Sequence, residues 1–204
     1  MKYNDLINEL DKYNIKKDQI GGNTFIYVYP KNSDGSANLD VGIILESSDG
    51  KWCLYEIERD KKFELNKFPK KEIAHFALYI AVKGKFEKVK GDAHVKSELR
   101  ELEKDLVDGK AILQKRIKEN YFSLLKVNEG TINLIENNQS FDVFYLTHQK
   151  EKIMIREGIP MSSALVLLYN FGIKLEGFDK LIKPHGENIE LKELEKMKIL
   201  YIGK

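Results

Sequence analysis

Apolar and polar positions set out one unit most clearly, WCLYEIERDKKFELNKFPKKEIAHFALYIA from Trp52 to Ala81. Trp52 to Leu65 alternates about the charged turn Arg59-Asp60-Lys61, the period of two expected of a β-hairpin. Pro69 suits the first position of a helix. Beyond it Ile73, Phe76, Ala77 and Ile80 recur at helical spacing, and Gly84 marks the predicted end. Ninety residues on, Asp142 to Phe171 repeats this order. Leu45 falls on Ile135, Cys53 on Val143, Tyr55 on Tyr145, Ala74 on Ala164 and Leu78 on Leu168. Strand alternation and helix face are both kept, which predicts a duplicated hairpin-plus-helix unit.

The same patterning places the other elements. Asn4 caps a predicted first helix with Leu6, Ile7, Leu10 and Tyr13 on its apolar stripe. Strands are expected at residues 24–29 and 41–46, joined by the polar loop 31–40, with a hairpin turn at Ser48-Asp49-Gly50. That makes a first sheet of roughly four strands. Val95, Leu99, Leu102, Leu106, Ile112, Leu113 and Ile117 mark one long helix or two, with Gly109 as the interruption. Strands follow at 122–127 and 131–136, then the second hairpin. Pro160 opens a helix ending at Gly172 or Gly177, with Asp179 to Ile182 as a short strand or turn. A short helix at 190–197 and an edge strand at 198–202 complete the chain. The predicted fold class is α+β: two similar lobes, each an antiparallel β-sheet covered by a helix, joined by a long helical segment. Residues 1–90 form the first lobe; residues 91–204 form the connecting helix and a diverged second lobe.

Composition narrows the chemistry. No apolar run reaches membrane-spanning length, and the N-terminus lacks the apolar middle of a signal peptide, so a cytoplasmic protein without a membrane partner is expected. The single cysteine, Cys53, excludes an internal disulfide and a cysteine-rich metal site, and its apolar strand predicts a core thiol. His75, His94, His148 and His185 show no metal-ligand spacing, and neither a phosphate-cradling glycine loop nor a Gly-x-Ser-x-Gly elbow occurs. No catalytic residue, metal or cofactor is therefore predicted. Each half of the chain carries a net charge of +1, without the concentrated basic face that nucleic-acid binding requires. Tyr27 and Tyr29 share one strand face, positioned to cover the core edge or to stack a ligand.

The string ESSDGKWCLYEIERDKKFELNKFPKKEIAHFAL has a further distinctive order of parts. A strand ends in Glu, a polar turn leads to Trp, an aromatic-rich strand ends in Glu-Arg-Asp, and a second strand leads into an alanine-containing helix. This resembles the small α+β immunity proteins of bacterial polymorphic and contact-dependent toxin systems, through Trp52, Tyr55, Glu58, Arg59 and Ala74. The second lobe departs from the pattern, with Asp142 in place of Trp52 and His148-Gln149 in place of the Glu-Arg turn. The resemblance implies an immunity (antitoxin) protein, not an enzyme, that neutralises a cognate protein toxin by occluding its active site. The loop 31–40 has no counterpart in the second lobe, and long loops on rigid scaffolds commonly bind. The expected partner-binding residues are Asp34, Asp40, Asp49, Trp52, Glu56, Glu58, Arg59 and Asp60. Two other classes stay open. One is a small cytosolic enzyme using Glu56, Glu58 and His75 as an acid–base set. The other is a nucleic-acid-binding module using Lys61, Lys62, Lys67, Lys70 and Lys71 with Phe63 and Phe68, although acidic residues interrupt that cluster.

Overall fold

The computed structural model describes residues 1–48, 50–87, 89–102, 106–185 and 189–203. The fold is α+β, with a five-stranded antiparallel sheet, a four-stranded mixed sheet and six helices among the described residues. The chain divides into two compact units, Met1–Lys88 with His185–Gly203, and Val89–Pro184.

In the first unit, α1 (Tyr3–Glu9) leads into β1 (Asn14–Ile20), β2 (Asn23–Tyr29), β3 (Val41–Ser48), β4 (Lys51–Glu58) and β5 (Lys61–Phe68). The sheet order is β1-β2-β3-β4-β5, every neighbour antiparallel. It has five strands where four were expected. The extra strand, β1, reads NIKKDQI and lies at the sheet edge; none of its residues is fully buried, so its hydrophobic pattern is faint. Helix α2 (Lys71–Phe86) crosses β3, β4 and β5. Ile26, Val28, Ile43, Leu45, Leu54 and Phe68 close the core, each at most 1% exposed.

Helix α2 is buried continuously from Ala74 to Val82, on more sides than a single sheet-facing stripe explains. The reason is α6 (Leu191–Ile202), which packs along α2. Residues 198–202, expected as an edge strand, are helical because Met197, Tyr201 and Ile202 bury a helical face there. Residues 91–204 were expected to form the connecting helix and second lobe, but His185–Gly203 gather with the first unit. Gly84 does not end α2. A Cβ at Gly84 would lie 2.9 Å from the Tyr201 Cα and carbonyl oxygen, so this glycine permits the two helix backbones to approach.

The second unit contains α3 (Ala93–Glu101), α4 (Leu106–Gln114), a 3-10 turn (Glu119–Tyr121), and β6 (Phe122–Leu124), β7 (Ile132–Asn137), β8 (Ser140–Leu146) and β9 (Lys152–Ile159). The sheet order is β6-β7-β8-β9; β6 runs parallel to β7, so this sheet is mixed rather than wholly antiparallel. Helix α5 (Met161–Ile182) covers β7 and β8, and α3 packs on α5. Residues 179–182, expected as a strand or turn, are its last turn. The helix runs through Gly172, where an added Cβ would meet the Ile117 Cδ1 at 3.0 Å. Gly109 likewise sits inside α4, its missing Cβ leaving room for Leu165, so it does not interrupt the helix.

The expected unit occurs twice: β3-β4-β5-α2 and β7-β8-β9-α5 are both antiparallel three-strand meanders followed by a helix. Their middle strands both carry register shifts, at Leu54/Tyr55 and around Val143. The copies differ where the sequences do. Asp142 accepts from the Gly158 N–H at 3.0 Å and the Asn137 amide at 3.2 Å, and so serves strand pairing rather than packing as Trp52 does.

Candidate partner-binding surface

The period of two sends alternate residues of the first sheet to opposite faces. One face meets α2. The other carries Phe25, Tyr27 and Tyr29 of β2, Ile44 of β3, and Tyr55 and Ile57 of β4. Phe25, Tyr27 and Tyr29 stack in series, with centroids 6.2 Å apart at both steps and interplanar angles of 17° and 10°. Gly42 makes room for the last ring: a Cβ there would lie 2.7 Å from two Tyr29 ring carbons. Beneath the rings Ile44 is 5% and Cys53 8% exposed, while Tyr27, Tyr29, Tyr55 and Ile57 stay half-buried.

Cations border these rings. Lys16 Nζ lies 6.0 Å from the Tyr27 centroid and Lys62 Nζ 3.7 Å from that of Tyr55. Each also has a carboxylate partner, Asp18 for Lys16 and Glu46 for Lys62. Burial raises the Tyr29 phenol, with Tyr27 adding to the effect. Burial first, then Cys53 and the nearby Glu46 and Glu64, push Tyr55 up to about 12. The Tyr29 and Tyr55 phenols are therefore neutral at ordinary pH, and the bordering lysines are paired.

At one end of the sheet the expected partner-binding segments meet. The Arg59 N–H donates to the Asp40 carbonyl at 2.8 Å, tying the hairpin turn to the end of the loop 31–40. The loop is itself folded: Lys31 and Ala37 form a β-bridge, Asn38 N–H donates to Pro30 O at 2.8 Å, and the Asn14 amide donates to Gly35 O at 3.2 Å. Asp34 is exposed and accepts from the Ser36 hydroxyl and N–H, which lower its pKa. Glu58, Arg59 and Asp60 are exposed. Arg59 and Asp60 both adopt positive φ, 47° and 64°, in a two-residue turn where Asn-Gly is the low-strain choice. The left-handed region costs an L-residue roughly 1–2 kcal/mol. Tyr29 and Ile57 reach this same end, since Ile57 pairs with Gly42 and Glu58 with Val41.

Other expected residues lie elsewhere. Asp49 falls outside the described residues. Trp52 sits toward the far end of β4 on the helix-facing side, its ring edge-on to His75 with centroids 5.7 Å apart and Lys71 over it at 5.9 Å. Glu56 also faces the helix side, where it pairs with Lys85. The acid–base set does not converge. Glu56 lies four residues along the strand from Trp52, which is beside His75, about 13 Å at the rise of a strand. His75 is 2% exposed, and neither ring nitrogen has a hydrogen-bond partner among the described residues. Burial first, then the Lys71 ammonium, push its imidazole down to about 4, against weaker opposing pulls from the Met1 backbone and Glu72. The lysine cluster is largely neutralised by carboxylates. Lys62 pairs with Glu46, Lys67 with Glu64 and Lys70 with Glu190, while Phe68 is buried and Phe63 is 48% exposed. Among the described residues no group of three or more His, Cys, Asp or Glu side chains is placed to hold a metal ion. No helix of the described residues is long and apolar enough to cross a membrane.

The aromatic ladder was only partly legible in the chain. Alternation at positions 25, 27 and 29 signals a shared face, but Tyr55, Ile57 and Gly42 join it only through cross-strand register. Comparison with protein-family models, curated proteins and solved structures finds no match.

Proposed function

We propose that this chain is a protein-binding module of the immunity type, which neutralises a bacterial toxin domain by covering that domain's active site. The observation that supports it best is the aromatic sheet face of the first unit, which ends at the strained Arg59-Asp60 turn and the pinned loop 31–40. Tyr and Arg are among the side chains most often dominant in protein interfaces; Tyr contributes a large contact area at low entropic cost, and Arg a planar fork of hydrogen-bond donors. Rings already stacked in series lose little freedom on docking. A turn that keeps two strained non-glycine residues where glycine would relax it is the pattern expected when side chains are retained for contact. The interface comprises Tyr27, Tyr29, Ile57, Glu58, Arg59 and Asp60, with Asp34 and Asp40 on its rim. Trp52 and Glu56 support the fold from the other face.

The experiment is co-expression with the product of each gene neighbouring this one, scoring growth and complex formation by size-exclusion chromatography. Tyr29→Ala and Arg59→Ala should each weaken the complex at least tenfold while the protein stays folded. A toxin domain that neither binds nor is neutralised would overturn the reading. Full protection by the double variant would move the interface off this face.

A further inference from the structure

The second unit holds a cavity of about 760 Å³ between the outer side of β9, the first half of α5 and the end of α3. That volume lies within the range of sites for drug-sized ligands, roughly 300–1,000 Å³. Ile155 and Val166 are 7% and 8% exposed and form part of an apolar floor; Leu167 and Phe171, half-buried, extend it. Two guanidinium groups, Arg100 from α3 and Arg156 from β9, line the same cavity from separate elements. Both are exposed, and among the described residues no carboxylate is part of the lining. Among the described residues neither arginine has an ion pair, although most other cations described above are paired.

We infer that this cavity binds a small anionic amphiphile, with an apolar chain on the Ile155-Val166-Leu167 floor and a carboxylate or phosphate head between Arg100 and Arg156. The apolar floor alone would accept any greasy molecule. The arginines make the choice, because a planar guanidinium matches a carboxylate or phosphate with two parallel hydrogen bonds, and two of them leave a neutral head group badly matched. Ser162 and Ser163 add donors. They occupy the first turn of α5, where Pro160 supplies no side-chain cap and no acidic residue is present. The inference is independent of toxin binding, since the cavity lies wholly within the second unit and the proposed interface wholly within the first.

The test uses the full chain with decanoate, decyl phosphate and decan-1-ol, by isothermal titration calorimetry and by mapping amide shifts. At least one of the two anions should bind at one site, tenfold or more tighter than the alcohol, with shifts centred on Ile159 and Leu167. Arg100→Gln with Arg156→Gln should reduce binding of that anion at least tenfold and leave the alcohol unchanged. Leu167→Glu should weaken all three. Comparing the two anions identifies the head group. Equal binding of anion and alcohol, undiminished binding by the double arginine variant, shifts centred outside this cavity, or no saturable binding of either anion below its micelle-forming concentration would each overturn the inference. Circular dichroism of each variant establishes that the fold is kept. Should Leu167→Glu fail to fold, the exposed arginine pair decides alone.

Discussion

Replacing His75 by leucine should remove most of the pH dependence of the first unit's stability between pH 6.5 and pH 4. His75 is 2% exposed, without a hydrogen-bond partner among the described residues, and its pKa is pushed down to about 4 by burial and by Lys71. In the unfolded chain it returns to the ordinary value near 6.5. Because the folded pKa is the lower one, the unfolded state binds more protons throughout that window. Stability is therefore full above about pH 6.5 and falls as the pH drops toward 4. A shift from 6.5 to about 4 corresponds to about 3 kcal/mol, of which about 2 kcal/mol is already lost at pH 5. At neutral pH the buried imidazole N–H without a partner costs about 1–3 kcal/mol, so leucine there should be neutral or stabilising. The chain has one tryptophan, and Trp52 lies against His75, so its fluorescence reports unfolding of this unit. Urea titrations of both proteins at pH 7 and pH 5 should show the variant's advantage growing by about 2 kcal/mol at the lower pH. Parallel pH profiles would refute the reasoning and mean that His75 is charged, or solvated, in the folded protein.

Gly84→Ala should destabilise the first unit by about 1–3 kcal/mol in chemical denaturation, despite alanine's better helix propensity, because its Cβ would meet Tyr201 backbone atoms at 2.9 Å. Asp60→Gly should raise stability by about 1 kcal/mol by relaxing a residue at φ 64°, and if the turn is an interface it should weaken partner binding at the same time; a variant without gain in melting temperature would remove the strain argument. Asn133→Leu should cost about 3 kcal/mol in the second unit. The buried amide accepts from Asn128 N–H at 2.7 Å and donates to the Asn128 and Thr131 carbonyls at 3.0 Å, and faster hydrogen exchange across residues 126–131 would locate the loss. Lys85→Ala should change stability by less than about 1 kcal/mol, since its ion pair with Glu56 is partly exposed; a larger loss would give that pair a greater part in the fold.

The elements that could be read from the chain were those whose burial pattern is local. The hairpins β3-β4-β5 and β7-β8-β9 alternate with period two around short turns, and α2 and α5 follow prolines with clear apolar stripes. Neighbouring residues report such patterns without help from the rest of the chain. The α+β class and the doubled meander-plus-helix follow from these alone. The elements misread were those whose burial is decided by distant residues. Edge strand β1 has little apolar content because one of its edges is unpaired. Gly84, Gly109 and Gly172 look like helix breakers in a one-dimensional pattern, yet each is the point where another segment comes closest, which depends on Tyr201, Leu165 and Ile117. The last residues of α6 alternate well enough for a strand and become helical because α2 offers them a helical groove. The candidate surface divides the same way. Its charged turn and loop were visible as sequence, and the structure joins them through the Arg59–Asp40 hydrogen bond. Tertiary structure alone turned Trp52 and Glu56 toward α2. It also brought β2 and β4 aromatics onto one face, because cross-strand register, which no local pattern encodes, sets which side chains become neighbours.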